Sequence, residues 1–333
     1  DISGVNKIHI DIQRKPSAFL DLKVLFKLVK IFKHQKFDVI HSTTPKAGLL
    51  TQIAGKVSGI NIRIHTFTGQ VWATKSGYKR EILKKLDTVL AASATHLLAD
   101  SFTQKDFLEE QGIVAKNRIK VLGLGSISGI NIEKFKPINN DQLRKDLDIP
   151  ENSFLYLYLG RLNKDKGIID LLAAFDQVYT KNPDTHLLLV GRDEENLVPI
   201  IEQHPLFGKS ISYVGFTKQP ELFMSMADIF CIPSYREGFG SVVIEAAACK
   251  TPSIGSNIYG LSDSIENGKS GLLFEVRNVN DLANKMVYCY NHREDIEKYA
   301  EYGYERVSQN FTQDISSNHL LKFYEKCLGL NLE

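Results

Sequence analysis

Short apolar or β-branched runs alternate with amphipathic stretches along the whole chain. In the first part the runs fall at 8–10, 38–41, 62–65, 96–99 and 119–122. Strands spaced by helical patterns predict parallel sheets built from βαβ units. The rhythm breaks at 135–140, where Pro137 and polar residues interrupt it. It restarts with runs at 154–159, 185–190, 211–214, 229–232 and 271–274. The pattern predicts an α/β protein with two Rossmann-like, doubly wound parallel-sheet domains and a cleft between them. The expected division is 1–137 plus 311–333 for one domain and 138–310 for the other. A last amphipathic helix at 313–328 has no following strand and is expected to cross back to the N-terminal domain. No internal repeat is present.

Length agrees with this division, since 333 residues exceed an ordinary single core and suit two domains of about 150 residues. The composition, 43% hydrophobic and 24% charged, is that of a globular protein, and no apolar run approaches the roughly 18 residues of a membrane-spanning helix. The cysteines, Cys231, Cys249, Cys289 and Cys327, show neither C-x-x-C pairing nor histidines at ligand spacing, and read as reduced core thiols rather than a zinc site or disulfide framework. The net charge of +2 hides an asymmetry: up to Pro137 there are 22 Lys and Arg against 11 Asp and Glu, and beyond it 19 against 28. The N-terminal part is therefore drawn to anionic surfaces. Nucleic acid is not the expected partner, because there is no RNP-like motif, zinc finger or helix-turn-helix pattern, and the basic residues are dispersed.

The most informative segment runs from Ile229 to Glu245. A buried strand ends at Pro233, a loop carries Glu237, and a helix opens at Gly238, Phe239, Gly240 and Ser241. Glycines allow close backbone approach, and unpaired amides of a first helical turn make an anion site. Glu245, one turn further in, is placed to accept hydrogen bonds from ribose hydroxyls. A second segment follows the strand at 154–159: Gly160-Arg161-Leu162-Asn163-Lys164-Asp165-Lys166-Gly167. Arg161 and Lys166 lie just past a strand's C-terminal end, where open α/β sheets bind ligands, and together can neutralise a diphosphate without a divalent metal.

These residues resemble glycosyltransferase family 4, the retaining family with two-Rossmann GT-B architecture, of the bacterial capsule and O-antigen type. The resemblance rests on Glu237 and Glu245 within the loop from Pro233 to Gly240, on Gly160, Arg161 and Lys166, on Val214-Gly215-Phe216, and on Asn267-Gly268-Lys269-Ser270-Gly271. It implies that Arg161 and Lys166 hold the diphosphate, Glu245 the ribose, and Glu237 with the amides of Gly238 to Ser241 the donor sugar and phosphate. Gly215 and Phe216 would border the base. The implied donor is a nucleotide-diphosphate sugar, most simply a UDP-sugar, and the acceptor a lipid-linked or saccharide chain in cell-surface polysaccharide synthesis. No metal or other cofactor is implied. Two rivals are a sugar-nucleotide 2-epimerase of the same architecture and a non-catalytic sugar-nucleotide-binding subunit. A dinucleotide site is discounted, because the Gly123, Gly125, Gly129 spacing misses the fingerprint by one residue. Asp146-Leu147-Asp148, formally a D-x-D, sits at a helix end away from the phosphate devices.

On the acceptor side the candidates are Lys46 at a helix start, which either meets a phosphate or belongs to an ordinary cap, and His65 and Gly69 at the end of a strand facing the expected cleft. His65 is equally well a satisfied edge histidine, and His96 reads as structural. Set against the family's pattern, the N-terminal domain is expected to lack a first βαβ unit. In 19–37, Leu22, Leu25, Phe26, Val29 and Phe32 keep a helical period while Lys23, Lys27, Lys30 and His34 form a cationic stripe. That helix either touches an anionic membrane surface or covers its own sheet with lysines in water. The expected location is the cytoplasm, peripheral on the inner face of the plasma membrane.

Overall fold

The computed structural model describes residues 4–13 and 17–330. The chain divides into two compact units, one of Asp1–Ala99, Lys105–Lys120 and Glu325–Glu333, the other of Asp100–Gln104 and Val121–Tyr324.

Unit 1 contains α1 (Ala18–Gln35), β1 (Val39–Ser42), α2 (Pro45–Val57), β2 (Ile62–Phe67), a 3-10 turn (Val71–Thr74), α3 (Gly77–Ser93), β3 (His96–Ala99), most of α4 (Phe102–Glu110) and most of β4 (Ile119–Val121). The sheet order is β1-β2-β3-β4, and β1–β2 and β2–β3 pair in parallel. The expected strand at 8–10 does not form. That stretch is irregular, Ile8 is 51% exposed, and Ile10 and Ile12 only lean on the cluster of Leu28, Phe32, Ile40 and Leu50. Along α1 the inward residues are Leu25, Leu28, Val29 and Phe32, whereas Leu22 and Phe26, expected with them, are 51% and 67% exposed.

Unit 2 contains α5 (Asp141–Asp146), β5 (Phe154–Leu159), α6 (Ile168–Lys181), β6 (Thr185–Val190), α7 (Val198–Glu202), β7 (Ile211–Val214), α8 (Pro220–Met226), β8 (Ile229–Ile232), α9 (Ser241–Ala248), β9 (Ser253–Ser256), α10 (Leu261–Ser264), β10 (Gly271–Phe274), α11 (Val279–Asn291), α12 (Arg293–Asn310) and α13 (Gln313–Leu328), whose last residues group with unit 1. The all-parallel sheet runs β10-β9-β8-β5-β6-β7. Successive side chains of a strand point to opposite faces. Accordingly Phe154, Tyr156 and Tyr158 enter the layer under α6 and α11, while Leu155 and Leu157 enter the layer under α8, α9 and α12. The polar break at 135–140 lies inside this unit: Ile130 and Phe135 are buried in its core, and Ile130 exchanges backbone bonds with Phe311 and Gln313.

Strand order reverses once in unit 2. From β5 the chain moves to β6 and β7 on one side, then returns to β8 on the other. The carboxyl ends of β5 and β8 therefore flank the switch point, where the helices that follow diverge to opposite faces and leave a crevice.

Candidate active site

Both segments expected to bind phosphate lie at that switch point. After β5, Gly160 and Arg161 lead into a 3-10 turn at Lys164–Lys166, and Gly167 opens α6; after β8, the loop from Pro233 reaches Gly240, which caps α9. The two loops are joined through main chain and side chains. Tyr235 N donates to Asp165 O at 2.8 Å, Arg236 Nε to Asp165 Oδ2 at 3.0 Å, and Tyr235 Oη to Asp170 Oδ2 at 2.9 Å. Gly167 has φ 70°, and a Cβ there would lie 2.1 Å from Pro233 O, so this crossing requires glycine.

Lys166 Nζ is hydrogen-bonded to Glu237 Oε1, with the side chains 20% and 16% exposed. The expected diphosphate cation and donor-sugar carboxylate are thus in direct contact. Arg161 is more open, 53% exposed, and its guanidinium rests on Glu194 Oε2 at 3.0 Å. Gly240, at φ 82°, starts α9 with no side-chain cap, so the first-turn amides of Ser241 and Val242 have no intrahelical acceptors and suit an anion. Phe239 contributes only backbone to such a site, because its ring is 1% exposed and packs 5.3 Å from Phe311.

Glu245 stands one turn along α9, partly buried and near Glu221 and Lys134. Burial raises its pKa from 4.5 to about 7, against the opposing pull of Lys134 and with some help from Glu221. At the end of β7, Gly215 leads to Phe216, 64% exposed, with the Arg192 guanidinium 5.5 Å from its ring centroid. A flat, open ring of this kind fits a base.

Sequence reading missed the supports of the Glu237 loop. Ser101 Oγ, fully buried, donates to Gly238 O at 2.8 Å, and Thr103 Oγ1 accepts from Gly260 N at 2.8 Å while bonding Asp263. Asp100, beside them, accepts from Ile127 N at 3.0 Å. Burial pushes it to about 7, despite the Ile127 amide and with the charge of Glu237 adding to the rise. The contacts of Ser101 and Thr103 do not follow from local spacing, since they join residues more than 130 positions apart.

In unit 1 the candidates are more enclosed. His65 is 1% exposed, its Nδ1 lies 2.8 Å from Ser42 Oγ, and its ring stands edge-on to Phe67 at 4.7 Å. Burial, and then the nearby His41, depress its pKa to about 3, so it is a neutral core histidine. Lys46 pairs with Asp21 Oδ1 at 2.6 Å and donates to Gln13 O at 2.7 Å. Gly69 lies in the loop between β2 and the 3-10 turn. Among the described residues no group of three His, Cys, Asp or Glu could hold a metal ion; Asp146 instead accepts from Gln142 at 2.7 Å.

Comparison with known proteins identifies the family and the fold. Residues 139–306 match the family model for glycosyl transferases group 1, and residues 1–125 the glycosyl transferase 4-like domain. The capsular polysaccharide biosynthesis glycosyltransferase CapM of Staphylococcus aureus is 32% identical over 325 residues, 96% of this chain and 84% of that protein. The Escherichia coli UDP-Gal:alpha-D-GlcNAc-diphosphoundecaprenol alpha-1,3-galactosyltransferase is 28% identical over 281 residues, 82% of this chain and 72% of the relative. Among solved structures, Anabaena HepE in complex with UDP superposes with a TM-score of 0.79 at 21% identity, covering 91% of this chain and 82% of HepE. The chain belongs to the group 1 glycosyl transferases, carries the 4-like domain in its N-terminal part, and is a glycosyltransferase of the GT-B fold.

Proposed function

We propose that the chain transfers a sugar, with retention of anomeric configuration, from a UDP-sugar to a lipid-linked acceptor in the synthesis of a cell-surface polysaccharide. The observation that carries this reading is the meeting of Lys166, Glu237 and the uncapped start of α9 at the switch point of unit 2. Relatives that act on diphosphoundecaprenol-linked sugars, and a neighbour that binds UDP, support the acceptor and donor classes.

In this reading Glu245 accepts from the ribose hydroxyls, Phe216 and Gly215 border the uracil, and the amides of Ser241 and Val242 with Arg161 and Lys166 hold the diphosphate. Glu237 accepts from hydroxyls of the donor sugar. As the glycosidic bond breaks, negative charge grows on the leaving diphosphate, and fixed cations beside it stabilise that charge more than the ground state. Attack from the same face lets the leaving phosphate oxygen take the acceptor's proton, so no side-chain base and no metal is required. Lys23, Lys27 and Lys30 on α1 are exposed and would keep unit 1 near the anionic surface that holds the acceptor, at about 1 kcal/mol for each lysine near it. The protein would then act as a peripheral cytoplasmic enzyme.

The test is a panel of UDP-sugars with a short-chain diphospholipid-linked N-acetylglucosamine, assayed for UDP release with and without a chelator, and with product anomers assigned by NMR. Retained configuration and chelator-resistant turnover are expected. Isomerisation at C2 without acceptor would favour the epimerase, and binding without turnover the non-catalytic subunit.

A further inference from the structure

The carbonyls of the Glu237 loop are held from behind. Ser101 follows β3 in the chain but groups with unit 2, and its fully buried hydroxyl donates to Gly238 O at 2.8 Å while accepting from Gln104 N at 3.2 Å. A hydroxyl has one proton, and this one is committed to the Gly238 carbonyl. Gln104 Oε1 in turn accepts from Asp100 N at 2.8 Å, which closes the turn around Ser101. Gly260 fills the adjoining space: at φ 85°, a Cβ there would lie 2.6 Å from Gly238 O and 2.8 Å from Glu237 O. Thr103 Oγ1 fixes it, accepting from Gly260 N at 2.8 Å and donating to Asp263, and Arg306 donates to Asp263 O at 2.7 Å and to Ser264 O at 3.1 Å. Two successive carbonyls, those of Glu237 and Gly238, therefore face Ser101 and Gly260.

A trans peptide is planar, and its N–H points opposite to its C=O. With the two carbonyls fixed on one side, the amides of Gly238 and Phe239 point to the other, and neither has an acceptor among the described residues. Successive N–H groups on one side make a small concavity for an electron-rich oxygen. We propose that Ser101 is a positioning residue for the donor sugar: by holding the Gly238 carbonyl it aims the Gly238 and Phe239 amides at one sugar hydroxyl, which donates in turn to Glu237. The Glu237 carboxylate in the same loop disfavours a phosphate oxygen there by like-charge repulsion. A hydroxyl both accepts and donates, and so suits amides and carboxylate together. The inference rests on the placement of a nucleotide-sugar in this site, and adds to it a buried side chain that acts only through the loop.

The test compares the parent with Ser101→Ala and with Thr103→Val, a second variant at a half-buried position, by calorimetric titration with UDP and with UDP-galactose, UDP-glucose and UDP-N-acetylglucosamine. The affinity of the best-bound UDP-sugar relative to that of UDP should fall about tenfold in each variant, with UDP affinity within about twofold of the parent's. Ser101→Cys, whose thiol is a weaker donor, should fall between parent and Ser101→Ala. Among monodeoxy forms of that sugar, loss of one hydroxyl should abolish the difference between parent and Ser101→Ala, and loss of any other should leave it. The proposal is overturned if the parent binds no UDP-sugar more tightly than UDP, or if the variants lose UDP and UDP-sugar affinity together, as a merely structural role would produce. It is equally overturned if the ratio is unchanged in both variants, or if no single deoxy donor removes the difference. A parent that binds neither UDP nor any UDP-sugar overturns the donor-site reading and the inference with it. Turnover reports on the transferase separately, since the affinity ratio needs no acceptor.

Discussion

Glu245→Gln should change two quantities in opposite directions. In the free protein the carboxyl is pushed by burial from 4.5 to about 7, a displacement worth roughly 3 kcal/mol. The folded pKa lies above the unfolded one, so between these values the folded state holds the extra proton. The protonated form's contribution is fully present below 4.5 and is lost as pH rises through about 7. Glutamine is neutral throughout. The variant should therefore gain stability over the parent as pH rises from 5 to 8, by roughly 3 kcal/mol at the top, a gain of several degrees in Tm.

UDP binding should move the other way. Ribose hydroxyls donate to an ionised carboxylate, so below pH 7 the parent must first release a proton, and its affinity should be roughly tenfold lower at pH 6 than at pH 8. Replacing a charged acceptor costs about 1.5–3 kcal/mol, so Glu245→Gln should bind UDP at pH 8 at least about tenfold more weakly. The terminal phosphate of UDP also titrates near about 6, but equally in both proteins, so the readout is the difference between them. Thermal unfolding with a UDP titration across this pH range measures both effects. A variant that is less stable above pH 7, or that keeps the parent's UDP affinity, refutes the placement of Glu245.

Lys166→Met should lower kcat by about 100-fold or more, as loss of a group that stabilises transition-state charge does, with a smaller change in KM for the UDP-sugar. Glu237→Gln should leave UDP affinity equal or higher, since Lys166 loses its competing partner, while UDP-sugar turnover falls; a parallel loss of UDP binding would show that Glu237 acts only in folding. Gly167→Ala sets a Cβ 2.1 Å from Pro233 O at φ 70°, and should destabilise by at least about 2 kcal/mol in chemical denaturation, whereas an unchanged midpoint would mean that the crossing of the two loops is loose.

Strands buried on both faces announce themselves as unbroken apolar runs, and β5, β6 and β8 were legible for that reason. β9 was not, because Ser253-Ile254-Gly255-Ser256 carries little hydrophobic signal. All four residues are nevertheless buried, since Gly255 admits the side chains of Ile265 and Ile232. The run at 8–10 failed in the opposite sense: its composition suits a strand, but among the described residues it has no sheet neighbour. Likewise Leu22 and Phe26 keep the helical period of α1 yet lie on its outer face, because periodicity locates a stripe without saying which side is covered.

The site divides along the same line. Each candidate phosphate device was visible alone, as a glycine-opened helix or a basic turn past a strand, because local backbone geometry suffices to make it. Their joining was not, since the contact between Lys166 and Glu237 depends on strand order, which sets β5 beside β8 although their loops are some seventy positions apart. On the proposed reading, in which Lys166 meets the diphosphate and Glu237 the sugar, that contact has a functional consequence. In the free protein the diphosphate cation and the sugar-binding carboxylate neutralise each other, so neither is left as an uncompensated, half-buried charge. A diphosphate that draws Lys166 away leaves Glu237 needing hydrogen-bond donors, and the hydroxyls of the donor sugar supply them. On this reading UDP alone would satisfy one partner and a free sugar the other, whereas a UDP-sugar would satisfy both, so the ion pair would favour the intact donor over its fragments.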